Sequence, residues 1–126
     1  ISTNFSDCEG KIVNYYVSKL LPAGSLEGMM EATKMHREFY KKRGAEVKVY
    51  PAIQYKRVDG GGTEESLHRL STMVVWENNQ AWENWRDRFN ALSDRDRKRE
   101  RKEYDAFVSK YNENTEVVAE RRWCML

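Results

Sequence analysis

The chain is expected to fold as one α+β domain with the element order β-α-β-β-α-β, its second helical region divided in two. Three observations carry this expectation. Two stretches rich in β-branched and aromatic residues, 11–21 and 46–58, flank a segment whose apolar residues recur every three or four positions. Further on, Leu70-Ser71-Thr72-Met73-Val74-Val75-Trp76 passes through Glu77-Asn78-Asn79 into Gln80-Ala81-Trp82-Glu83-Asn84-Trp85, so an apolar strand meets an amphipathic helix at a sharp junction. Finally, 126 residues, 33% of them charged, suffice for a single modest core under a heavily solvated surface, and no linker or repeat divides residues 1–126.

The first strand, 11–21, alternates Ile12, Asn14, Tyr16, Ser18 and Leu20 with Val13, Tyr15, Val17 and Leu21. Apolar groups on both faces predict a strand covered on both sides. Pro22-Ala23-Gly24 ends it, and Ser25 is a good N-cap for a helix carrying Leu26, Met29, Met30, Thr33, His36 or Arg37, and Tyr40 on one stripe. Lys41-Lys42-Arg43 complement the negative end of that helix, and Gly44 suits the left-handed residue that closes it.

The second strand, 46–58, holds Val47, Val49, Ile53 and Tyr55 on one face, and Pro51 predicts an edge position or a bulge. Asp59-Gly60-Gly61-Gly62-Thr63 is read as a hairpin loop leading to a third strand over 67–77. A phosphate loop would need a following helix and a lysine, and neither is there. The second helix places Ala81, Trp82, Trp85, Phe89 and Leu92 on one stripe. Ser93 with Asp96 resembles a capping box that opens a third helix bearing Tyr104, Phe107, Val108 and Tyr111. Asn112-Glu113-Asn114 ends that helix, and a last strand runs from Thr115 to about Met125.

This order predicts a ferredoxin-like sandwich: a four-stranded antiparallel sheet with the helices on one face. The other face would be left bare, and an exposed apolar sheet face of that size marks a protein interface, so a homodimer through the open face is expected.

A net charge of +2 is too small to single out nucleic acid or an anionic membrane as a partner. Ribonucleoprotein-type domains share the element order but carry a Lys/Arg-Gly-aromatic run on a central strand, and 68–75 is aliphatic at its middle, so no nucleic-acid partner is expected. No stretch approaches the roughly 20 apolar residues of a membrane span, and 1–4 has neither the basic nor the apolar part of a signal peptide. The protein is therefore expected to be cytoplasmic, with Cys8 and Cys124 as free thiols; a bridge between them would require the two termini to meet.

The segment from Val75 to Trp85 resembles the third-strand-to-second-helix junction of the dimeric α+β barrel superfamily, in particular its antibiotic-biosynthesis-monooxygenase-like group, to which the haem-degrading monooxygenases are related. In that family a strand ends in tryptophan, and a polar turn leads to Gln-Ala-aromatic and a further tryptophan, here Trp76, Gln80-Ala81-Trp82 and Trp85. The motif covers about a tenth of the chain and the element order nearly all of it. The resemblance implies a dimeric barrel and a pocket between sheet and helices, in which some members oxidise aromatic or polyketide substrates without a cofactor. Haem-degrading members use a first-strand asparagine, matched by Asn14, and a second-helix tryptophan, matched by Trp85. Their iron-binding histidine has no counterpart, because 86–95 contains no His, Cys, Met or Tyr. No cofactor and no metal site are therefore expected.

The candidate site residues are Asn14, which would orient a substrate oxygen, Trp85, which would wall the cavity, and His68, which would move a proton, with His36 as the other histidine. Each has a structural alternative. Trp82 and Trp85 at helical spacing fit a core, Asn14 needs only a hydrogen-bond partner, and the histidines suit partly buried structural positions. Tyr15, Tyr16, Tyr50 and Tyr55 offer phenols to a pocket. The run 94–103, six basic and four acidic residues, fits a solvated, ion-paired helix. Three functions are weighed: a cofactor-independent monooxygenase-like enzyme acting on a small aromatic or polyketide-like molecule, a non-catalytic domain that binds an apolar ligand or supports assembly, and, below both, an RNA-binding domain, with haem degradation as a further alternative to the first.

Overall fold

The computed structural model describes all 126 residues. After a short 3-10 turn at Phe5–Asp7 come β1 (Ile12–Leu20), α1 (Leu26–Lys41), β2 (Val47–Arg57), β3 (Thr63–Trp76), α2 (Asn79–Asn90), α3 (Asp94–Asn114) and β4 (Thr115–Cys124). The strands form one antiparallel sheet in the order β2-β3-β1-β4, the ferredoxin-like arrangement. Pro51 lies on β2, an edge strand, where a missing N–H costs least.

Capping follows the local chemistry. Ser25 Oγ accepts from Gly28 N at 2.9 Å, Asn78 Oδ1 from Ala81 N at 2.8 Å, and Ser93 Oγ from Asp96 N at 3.1 Å, each satisfying a donor that a helix start leaves free. Gly44 ends the α1 region at φ 66°, and Gly60 and Gly61 turn the β2–β3 hairpin at φ 81° and 85°. The core lies between sheet and helices and consists of Ile12, Phe39, Tyr40, Val49, Val74, Trp76, Ala81 and Phe107. Trp85 packs edge-on against Phe39 and Tyr40 and beside Trp76, with the Arg88 guanidinium 3.9 Å above its ring.

The structure departs from the sequence reading in three places. First, β3 begins at Thr63 rather than Leu67, because ladder hydrogen bonding carries the strand through the hydrophilic Thr63–Ser66, with Thr63 opposite Arg57 and Val58 N donating to Gly62 O at 3.0 Å.

Second, Cys8 and Cys124 are not free thiols but form a disulfide, with Cα atoms 5.8 Å apart. The termini meet because β4 pairs with β1 as far as Ile12 opposite Cys124, and Met125 N donates to Lys11 O at 2.9 Å. The turn before Gly10 then returns the chain to this edge, where Gly10 lies so close to Met125 that a Cβ would sit 1.8 Å from its carbonyl oxygen.

Third, the charged run at the start of α3 is not wholly solvated. Glu100 is buried and takes Arg43 Nε at 2.8 Å and Arg88 Nη2 at 2.7 Å. Two guanidiniums are what make its burial tolerable. Arg43 also pairs with Glu103, so the end of α1 is tied to α2 and α3.

The far end of α3 is fixed differently. The side chain of Asn114 is buried, accepts from Ser25 N at 3.0 Å and donates to Lys110 O at 2.9 Å, while its backbone carbonyl accepts from Leu21 N at 2.9 Å. Gly24 and Gly28 let it approach, since a Cβ on either would fall within about 2.2 Å of Asn114 atoms.

Candidate functional site

Between these two fixed ends, α3 spans the sheet over a cavity of about 280 Å³. The sheet contributes Tyr16 and Ser18 from β1, Thr72 and Val74 from β3, and Thr115, Val117 and Glu120 from β4. Alternation along β1 and β3, and a bulge in β4 at Val118, put these on the helix-covered face: Tyr16 stands opposite Thr72 and opposite Glu120, and Ser18 opposite Val117. The α3 wall is Tyr104, Phe107, Val108, Tyr111 and Asn112, and α1 adds His36. The volume falls near the lower bound of small-molecule sites, and the lining mixes aromatic and aliphatic surface with a few hydroxyls, as such sites require.

The inner end of the cavity is neutral and hydrogen-bonded. His36 stacks on Phe107 with centroids 4.2 Å apart, and its Nδ1 shares a 2.9 Å hydrogen bond with Tyr111 Oη. Tyr111 Oη also reaches Thr33 Oγ1 at 3.4 Å, and Thr33 donates to Met29 O at 3.0 Å. Burial lowers the His36 pKa to about 3, with the Arg37 guanidinium adding to the effect, so the imidazole is neutral at physiological pH. Burial raises the Tyr111 hydroxyl above its ordinary value, although hydrogen bonds to Thr33 and Thr72 and the Arg37 charge oppose it.

The outer end is different. Tyr16 and Tyr104 are both raised above the ordinary phenol value, first by burial; Tyr104 and Glu120 add to the shift at Tyr16, while Asp105 and Glu120 add to that at Tyr104. Glu120 therefore stands within electrostatic reach of both phenols. It lies exposed on the rim with Asn112 and Val117, and no Lys, Arg or His nitrogen comes within ion-pair distance of it.

The residues singled out from the sequence are not brought together. Asn14 is buried, and its Oδ1 accepts from Arg122 Nε at 2.8 Å, which supplies the partner a buried amide needs. It lines a smaller cleft with Tyr16, Glu120, Arg121 and Arg122, beside the cavity and not in it. Trp85 faces Phe39, Tyr40 and Trp76, away from the cavity, and shares no pocket with Asn14. His68 falls at the register shift of the β2–β3 ladder, between Arg69 opposite Gln54 and Leu67 opposite Tyr55, and it is exposed and outside the cavity wall. Of the named candidates only His36 and Tyr16 line the cavity. Tyr104, Tyr111, Thr72 and Glu120 also line it, and the sequence alone does not single them out as site residues. The two tyrosines lie on the third-helix stripe, where hydroxyls on an otherwise apolar face are the available signal.

The sequence matches no protein-family model and no curated protein. Among solved structures, the chain is similar to a dimeric ferredoxin-like protein of unknown function from Bacteroides fragilis, at 13% identity and TM-score 0.46, covering 93% of this chain and 98% of that one. It is also similar to a protein of unknown function from Rhodopseudomonas palustris, at 16% identity and TM-score 0.48, covering 94% and 84%. No helix is long and apolar enough to cross a membrane.

Proposed function

We propose that the chain is a small-molecule-binding domain whose ligand, a compact aromatic or apolar molecule, occupies the cavity between the sheet and α3. The observation that carries this reading is the cavity itself: about 280 Å³ of aromatic and aliphatic wall with polar groups at both ends. A helix packed only for stability would be expected to close such a space, because protein interiors approach crystal density. The Val108→Trp variant tests it. Val108 is half-buried and lines the cavity without belonging to the buried core, so a larger side chain there fills the space. In a titration with p-cresol followed by backbone amide shifts, the parent chain should shift along Tyr104–Asn112 and Thr115–Glu120. The variant should keep its fold and lose those shifts. Uniform or absent shifts in the parent chain refute the reading.

A second reading, cofactor-independent monooxygenase-like chemistry on an aromatic substrate, is favoured by one feature, the group Tyr16, Glu120 and Tyr104 at the outer end. Deprotonation of a phenolic substrate there would fall to Glu120, since His36 protonates only at strongly acidic pH. Oxygen uptake with a panel of small phenols, abolished in Glu120→Gln, would support it. Ligand binding without turnover leaves the first reading alone.

We also propose that two copies pack through the open face of the sheet. That face carries Val13, Tyr15, Val17, Tyr50, Met73, Val75 and Trp123, with Tyr50 43% and Trp123 49% exposed, and Tyr15 stacked on Trp123 at 5.0 Å. Light scattering should give twice the 14.9 kDa chain mass, and a monomer at micromolar concentration refutes the pairing. The Cys8–Cys124 bridge favours an oxidising compartment over the reducing cytoplasm that free thiols would suit.

A further inference from the structure

We infer that the cavity selects an organic cation, a molecule with an apolar or aromatic body and an ammonium group. The inference rests on the reading of the cavity as a ligand site and adds the sign of the ligand's charge. Only one charged side chain lines the cavity, and it is the carboxylate of Glu120. That carboxylate has no cationic partner within 4 Å, whereas the carboxylates of Glu100 and Glu103 each take two.

The walls next to Glu120 are phenol rings. Tyr16 lies opposite it on the neighbouring strand, and Tyr104, packed edge-to-face with Phe107 at 4.7 Å, lines the same cavity, so two phenol rings and a carboxylate converge on its outer end. Aromatic faces carry negative quadrupole density, and an ammonium held among them gains from each ring as well as from the acid. The basic residues beside Glu120 are engaged outside the cavity: Arg121 Nη1 donates to the Glu120 backbone carbonyl at 2.8 Å, and Arg121 and Arg122 line the neighbouring cleft that Glu120 and Tyr16 share. Arg122 donates to Asn14 Oδ1 at 2.8 Å and lies 4.7 Å over the Trp82 ring, in the neighbouring cleft, and Arg37 donates to Val49 O at 2.8 Å. No lysine or arginine is available inside the cavity to meet an anion. The deeper end, with neutral His36 and Tyr111, suits the uncharged part of such a molecule.

The test uses three near-isosteric probes, phenethylamine, phenethyl alcohol and phenylacetate, titrated against the 126-residue chain at pH 7 and followed by amide chemical shifts. The amine should bind most tightly and phenylacetate most weakly, with shifts centred on Tyr16, Tyr104 and Glu120. Glu120→Gln should cost the amine about three- to fivefold in affinity, the worth of one exposed charge contact, and leave the alcohol unchanged. Raising salt from 0.05 to 0.5 M should reduce the amine's advantage in the parent chain, a second readout that needs no variant. If all three probes bind the cavity alike, or phenylacetate binds best, the charge preference is overturned and the cavity remains a ligand site. If none shifts the cavity residues, the ligand site fails and this inference with it.

Discussion

Breaking the Cys8–Cys124 bridge should be among the most costly changes to this chain, and its size follows from the connectivity. The two residues are 116 positions apart, so the bond closes nearly the whole polypeptide into one loop. Loop-closure arithmetic for a ring of that length gives about 16 cal/mol/K of entropy removed from the unfolded chain, or about 4.8 kcal/mol at 25 °C. Total stabilities of small domains are on the order of 5–15 kcal/mol, so reduction should remove a large share.

The folded form should survive reduction. β4 still pairs with β1 along its length, and Met125 N still donates to Lys11 O. The assay is urea unfolding followed by circular dichroism, with and without a phosphine reductant, alongside Cys8→Ser, Cys124→Ser and the double variant. Each single variant should lose as much as the double one, because each removes the same bond. The slope against urea should rise on reduction, since an unbridged unfolded chain exposes more surface. A stability change under about 1 kcal/mol, or two titratable thiols in the denatured, unreduced protein, refutes the reasoning.

Three further outcomes are expected. His36 titrates near 3 in the fold and near 6.5 unfolded, so the unfolded chain binds the extra proton between those values; stability should fall by up to about 1.4 kcal/mol per pH unit as pH drops below 6, and His36→Phe should remove that part of the slope in acid-unfolding curves. Gly28→Ala puts a Cβ 2.1 Å from Asn114 Oδ1 and should destabilise by about 1–3 kcal/mol in thermal unfolding, although alanine is ordinarily the better helix residue. Glu100→Ala leaves Arg43 and Arg88 without their shared carboxylate and should cost about 3 kcal/mol or more, whereas Glu77→Gln, which breaks only the exposed pair with Lys11, should change the urea midpoint little.

Much of the fold was legible in local patterns. Alternation in 12–18, the Ser25 and Ser93 caps, the Trp76–Trp85 junction and Pro51 each rest on chemistry within a few residues, and each reappears in the structure as an element boundary or an edge. What stayed hidden depends on partners distant in sequence. The disulfide needs β4 to lie beside β1, which no spacing in the chain announces. Glu100 looked like one charge among ten, yet it lies four residues before Tyr104 on the stripe that continues to Phe107 and Tyr111; that position, and not its charge, takes it inward. Asn14 drew attention as a polar residue in a covered strand, and its explanation is Arg122, 108 positions away. Trp85 followed from the junction motif, but helix geometry turns it toward Phe39 and Tyr40 and away from the cavity.

The cavity itself is a consequence of how α3 is held. Near its start, Glu100 is clamped by arginines from α1 and α2; at its end, Asn114 is seated against Gly24 and Gly28. Both clamps are polar and directional, so they set the distance of the helix from the sheet independently of the side chains between them. Those side chains need not fill the gap. His36 and Phe107 close the inner part, but over β1 and β4 the wall ends in the hydroxyls of Tyr16 and Tyr104 and the short side chains of Ser18 and Thr115. A helix held only by apolar contact would be drawn down until such a space closed. Glu100→Met separates the two causes: a clamp that holds the helix off the sheet should, when replaced by an apolar side chain, let α3 settle and shrink the cavity. The variant should then lose p-cresol binding while keeping its secondary structure. Retained binding at parental affinity would show that the walls, and not the clamps, keep the space open.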